Sequence, residues 1–106
     1  MTLNSFVFFD ADSTSTESNV MDVIDRAEDM TLQISGSGSI NLQIKGKSDV
    51  KDGGWDNISA VSLGSFSAVQ SITAAGIYSV PVRGLTKLKI VNSGDTGIKV
   101  YGRVNA

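Results

Sequence analysis

Hydrophobic and polar positions alternate most clearly in two stretches of this chain. In the first, Met30, Leu32 and Ile34 alternate with Thr31, Gln33 and Ser35; beyond Gly36-Ser-Gly38, Ile40, Leu42 and Ile44 alternate with Asn41, Gln43 and Lys45. A period of two predicts a pair of half-buried strands, read here as a hairpin. The second stretch holds two alternating segments, 86–91 and 98–104, joined through Asn92-Ser-Gly-Asp-Thr-Gly97, whose residues tolerate positive φ. It too reads as a hairpin. Leu88 and Ile90 fall on one side with Ile98, Val100 and Val104, which leaves Lys87, Lys89, Lys99, Tyr101 and Arg103 on the other. One face is core and the other is cationic.

The remaining segments are shorter. The apolar run 6–9, with Phe6, Phe8 and Phe9, suits a first strand or an arm docking on another surface, and 10–19 is polar loop. Asp10, Asp12 and Thr14 fall at the first, third and fifth positions of a calcium loop, but Ser15 and Met21 stand where its glycine and closing glutamate belong, so plain acidic loop is expected. A short strand at 20–24 precedes a possible helical turn at 25–29. Trp55 opens a strand, 55–61, whose apolar residues cannot share one face without a bend. Residues 63–66 read as a crossing between sheets. Further strands follow at 69–73 and 77–82, with Pro81 at a sheet edge or where the chain leaves one sheet for the other. The reading is all-β: a single-domain antiparallel β-sandwich, jelly-roll-like, of about eight short strands. Residues 1–29 form an acidic N-terminal arm with the first strands, and 30–106 form the sandwich body.

Composition narrows the function. A chain of 106 residues buries ~65% of its unfolded surface without staples, and it contains neither cysteine nor histidine. Disulfides, thiolate metal sites, Ser-His-Asp and Cys-His catalysis are therefore outside its means. Carboxylates remain, but Asp10/Asp12, Asp22/Asp25 and Glu28/Asp29 sit in polar surroundings that would not raise a pKa for acid catalysis. The chain is expected not to be an enzyme, to hold no metal or cofactor, and to be made in the cytosol, since no run has the length of a membrane helix or signal segment.

The net charge of −2 hides a division: residues 1–29 carry seven acids against Arg26, and 30–106 carry four acids against eight bases. An acidic front and a basic body can steer copies together. Lys87, Lys89, Lys99 and Arg103 are accordingly expected to face the acids of residues 10–29 of a neighbouring copy, and residues 1–10, with the 6–9 arm, to be dispensable for folding. Nucleic acid is not an expected partner, given one aromatic on the basic face and the negative total.

The segment Gly76-Ile-Tyr-Ser-Val-Pro-Val-Arg-Gly-Leu-Thr-Lys-Leu-Lys-Ile90, the Gly54-Trp55 pair before it and Val100-Tyr-Gly-Arg103 after it resemble a pattern of small β-sandwich structural proteins of tailed bacteriophages and prophages. The likeness covers roughly 30–106. It implies a virion component without catalytic residues: a capsid decoration protein bound to the major capsid protein or another virion protein as a symmetric oligomer, a trimer being expected. The interface residues on that reading are Phe6, Phe8, Phe9, Lys87, Lys89, Lys99, Tyr101 and Arg103. The alternative is a receptor- or carbohydrate-binding module of tail or baseplate, with Trp55, Tyr78 or Tyr101 stacking on sugars.

Overall fold

The computed structural model describes residues 5–13, 16–23, 27–36, 39–48, 54–94 and 97–105. Among these, eleven strands run in order: β1 (Ser5–Ser13), β2 (Met21–Asp22), β3 (Asp29–Gly36), β4 (Leu42–Lys47), β5 (Asp56–Ile58), β6 (Ala60–Ser62), β7 (Ala68–Val69), β8 (Ser71–Ile72), β9 (Gly76–Pro81), β10 (Lys87–Asn92) and β11 (Ile98–Asn105). One sheet has the order β1-β11-β3-β9-β6-β7 and the other β2-β10-β4-β5, with β8 also on β4. Without the short β6, β7 and β8, the sheets β1-β11-β3-β9 and β2-β10-β4-β5 are the two four-stranded layers of a jelly roll. The expected fold class is therefore present, with three added strands between β5 and β9.

Both expected hairpins are absent as hairpins. β3 pairs with β9 and β11, and β4 with β10, β5 and β8, so the 36–42 connection crosses from one sheet to the other. β10 and β11 are likewise in opposite sheets, beside β4 and β3. The alternation that suggested hairpins is satisfied either way, because it states which side of a strand is buried and not which sheet the strand joins. Placed in opposite layers, the two strands of each pair direct Leu32, Ile34, Leu42 and Ile44, or Leu88, Ile90, Ile98 and Val100, into one shared core. The two crossings are joined where the Ser93 amide donates to the Asn41 carbonyl at 2.8 Å; within the second crossing the Gly94 amide donates to Asn92 Oδ1 at 3.0 Å.

The N-terminal strand belongs to the body. β1 pairs antiparallel with β11 over Ser5 to Ser13, and register shifts between Val7 and Phe9 let the consecutive Phe8 and Phe9 both turn inward. Each is only 2% exposed. The free-arm alternative is corrected by this pairing.

Other boundaries shift for similar reasons. The bend required in 55–61 is Ser59, between β5 in one sheet and β6 in the other. Residues 63–66 do not cross between sheets; they form the turn that pairs β6 with β7. The crossing follows instead at Gln70, between β7 and β8. Pro81 ends β9, where the chain leaves its sheet for β10, and its lack of an N–H therefore costs no interior ladder bond. The helical turn read at 25–29 is not formed over 27–29: Ala27 and Glu28 lead straight into β3 at Asp29, where both neighbouring strands pair with it. Residues 25 and 26 and the calcium-like positions Thr14 and Ser15 fall outside those described.

Candidate functional site

Because β10 and β11 lie in different sheets, the cationic residues expected on one face are divided between the two outer faces of the sandwich. Lys87 and Lys89 belong to the β10 layer. Lys99, Tyr101 and Arg103 belong to the β11 layer.

On the β10 layer, cross-strand pairing sets Lys87 opposite Lys47 and Lys89 opposite Lys45. Facing like charges oppose pairing. The acidic segment relieves part of that repulsion within the same chain. Ser18 N donates to the Ile90 carbonyl at 2.9 Å, the Ile90 amide donates to Ser18 Oγ at 2.8 Å, and Val23 N donates to the Thr86 carbonyl at 2.8 Å. Residues 16–23 thus run along the outer edge of β10, shielding a strand edge that would otherwise be open. That course brings Asp22 Oδ1 to 2.5 Å from Lys87 Nζ and Glu17 Oε1 to 2.8 Å from Lys89 Nζ. The hydrogen-bonded Lys89 ammonium holds the Glu17 carboxyl below the usual carboxylate value. Lys87 and Lys89 thus each have an acid of their own chain as an ion-pair partner, where a neighbour's acids were expected.

Trp55 sits just before β5, half-buried, with Lys89 Nζ 4.6 Å and Lys47 Nζ 5.4 Å from its ring centroid. The ring is engaged by cations and serves to hold two lysines of the β10 layer. Tyr78 is a core residue whose hydroxyl donates to the Ala74 carbonyl at 2.8 Å, so its ring offers no stacking face. Of the three aromatics considered for sugar stacking, only Tyr101 presents itself to solvent, at 42% exposure. Phe8 and Phe9 are interior, and Phe6 is half-buried edge-on to Phe8 with centroids 4.9 Å apart. None of these three offers the apolar strip proposed for an arm.

The outer face of the β11 layer carries a feature that the alternation alone could not assemble. Val7 pairs with Tyr101, Tyr101 with Gln33, and Gln33 with Ile77, one residue from each of β1, β11, β3 and β9 in a single cross-strand row. Val7, Tyr101 and Ile77 are all exposed. They border a groove of about 600 Å³, whose polar lining includes Asp10, Thr31, Arg103 and Asn105. Several of these groups are fixed: the Tyr101 hydroxyl donates to Asp10 Oδ1 at 3.3 Å, and Asn105 Nδ2 donates to Asp29 Oδ1 at 2.6 Å and to Thr31 Oγ1 at 3.3 Å.

Two further exposed apolar sites escaped the sequence reading. Leu63 and Phe66 stand at the β6–β7 turn, Phe66 at 81% exposure, and Val20 stands beside β2. The turn and Val20 occupy opposite flanks of the sandwich. β7 is one edge of its sheet, whereas the Asn19 amide near Val20 donates to the Phe8 carbonyl on β1, the other edge.

No protein-family model matches the sequence, and no curated protein matches it. Two solved structures share the fold. The SPBc2 prophage-derived protein YomS is 24% identical, with a TM-score of 0.83 over 97% of this chain and 92% of its own. The PBSX exported protein XepA is 18% identical, with a TM-score of 0.82 over 97% of this chain and 37% of its own. The chain thus adopts, across nearly its whole length, a jelly-roll sandwich that is also found in these two proteins.

Proposed function

We propose that this chain is a bacteriophage structural protein that works by adhesion and performs no catalysis, and that it decorates the capsid surface as a symmetric oligomer. The observation that carries the phage assignment is the fold match over 97% of the chain to proteins named for the prophages SPBc2 and PBSX. The oligomer is supported by the placement of exposed apolar residues. Leu63 and Phe66 on one flank and Val20 on the other suit a head-to-tail contact, which closes into a ring when the rotation permits. The jelly roll contributes rigid layers, and its β10 edge is already covered by residues 16–23 of the same chain.

Labelling the protein on intact phage particles tests the location directly. Label distributed over the head supports decoration. Label confined to the tail tip replaces it with a tail or baseplate component, and label absent from the particles removes the virion assignment. The mass of the purified protein in solution then tests the ring, for which three subunits are the expected number; a monomer at all concentrations removes it.

A further inference from the structure

We infer that the groove on the outer face of the β11 layer binds an extended, flat glycan chain of the β-1,4-linked class, with the Tyr101 ring as its stacking platform. The inference does not depend on whether the protein sits on head or tail.

The groove runs over the face of the sheet from the edge strand β1 across β11 and β3 to β9, and the backbone groups of β11 and β3, with strands on both sides, are spent in ladder bonds. A peptide cannot be recognised there by strand addition, which needs a free edge. Recognition must come from side chains. The row Val7–Tyr101–Gln33–Ile77 spans three strand spacings, roughly 14 Å, and offers apolar surface at both ends with an aromatic plane between. A second copy of the chain fits this strip poorly. Its three exposed apolar side chains are interrupted by Gln33 and bordered by polar and charged groups, so the face lacks the continuous apolar centre of a stable subunit interface.

A sugar chain has the complementary chemistry. Its C–H faces cover apolar and aromatic surface, while its hydroxyls both donate and accept. Around the row stand an amide (Gln33), a hydroxyl (Thr31) and a guanidinium (Arg103), which together supply donors and acceptors at short range. The Asn105 amide and the Tyr101 hydroxyl are already held by Asp29, Thr31 and Asp10, so little side-chain ordering is left to be done on binding. The groove's volume falls in the range of small-ligand sites. A straight row across strands favours a chain whose successive rings lie flat, as β-1,4 linkage produces.

Calorimetric titration of the full chain with cellohexaose, chitohexaose and maltohexaose tests the proposal. The expected result is saturable binding of at least one of the two β-1,4-linked hexasaccharides, weakened about tenfold or more by Tyr101→Ala and several-fold by Gln33→Ala. Tyr101→Phe, which keeps the ring, should retain most of the affinity, and Trp55→Ala should leave it unchanged. Thermal melts of each variant separate loss of binding from loss of fold. If Tyr101→Ala does not fold, Tyr101→Phe and Gln33→Ala still decide the matter through Gln33 dependence. Binding of neither β-1,4 hexasaccharide, binding of maltohexaose alone, or affinity indifferent to position 101 overturns the inference. So does concentration-dependent self-association lost in Tyr101→Ala without saccharide binding, which assigns the face to a second copy.

Discussion

Lys89 Nζ stands 2.8 Å from Glu17 Oε1, and this pair joins the acidic N-terminal segment to a strand seventy-two positions later. The segment is thereby an edge strap, with its charge directed toward its own sandwich. Glu17 is exposed whereas the Lys89 side chain is largely covered against Trp55, so water and salt reach the pair from the carboxylate side and its contribution to stability is modest.

The pair predicts a pH dependence with a definite sign. Because the folded-state pKa of Glu17 is depressed, its contribution is fully present above the unfolded value of about 4.5 and is lost as pH falls through the lower folded value. Urea midpoints measured from pH 6 to pH 3 should fall more steeply for wild type than for Glu17→Gln, with the difference confined to the acid limb. Identical slopes would show that Lys89 does not engage Glu17 in solution.

Folding should require β1. Phe8 is fully interior and touches the same core as Met30 and Leu32, so Phe8→Ala should cost ~3–5 kcal/mol. Removing residues 1–10 should abolish the cooperative melt rather than merely release a docking arm. A truncated protein that melts as wild type would return β1 to the status of an arm.

Gly94 occupies the place where the two sheet crossings touch. A Cβ there would lie 2.6 Å from the Ser39 carbonyl oxygen and 3.1 Å from the Asn41 amide nitrogen, both backbone atoms that cannot rotate aside. Gly94→Ala should therefore destabilise by ~1–3 kcal/mol, read as a lower urea midpoint with an unchanged slope. A neutral result would mean that the crossings are not in contact.

Phe66 combines 81% exposure with a φ of 58°, a left-handed conformation that is unfavourable for a bulky side chain. Phe66→Gly should relieve this and raise the melting temperature of the monomer by several degrees, equivalent to ~1 kcal/mol. The same substitution should weaken the head-to-tail oligomer, observed as a shift toward monomer in sedimentation. Loss of stability on Phe66→Gly would show that the ring packs on its own chain.

The class of fold and the buried side of each strand follow from local residue pattern. Met30, Leu32 and Ile34, or Leu88 and Ile90, are interior as their period of two requires, because a pleated strand presents alternate residues to opposite sides whatever its neighbours. The missing histidine and cysteine narrowed the chemistry in the same local way. Which sheet each strand joins is not a local property. Local alternation is equally satisfied by a hairpin and by a crossing, and the choice rests on long-range pairing such as β11 with β3 and β10 with β4. That choice divided Lys87 and Lys89 from Lys99, Tyr101 and Arg103. It also set Val7, Tyr101, Gln33 and Ile77, scattered through the sequence, in one row, because residues of four strands become neighbours only once the register between them is fixed.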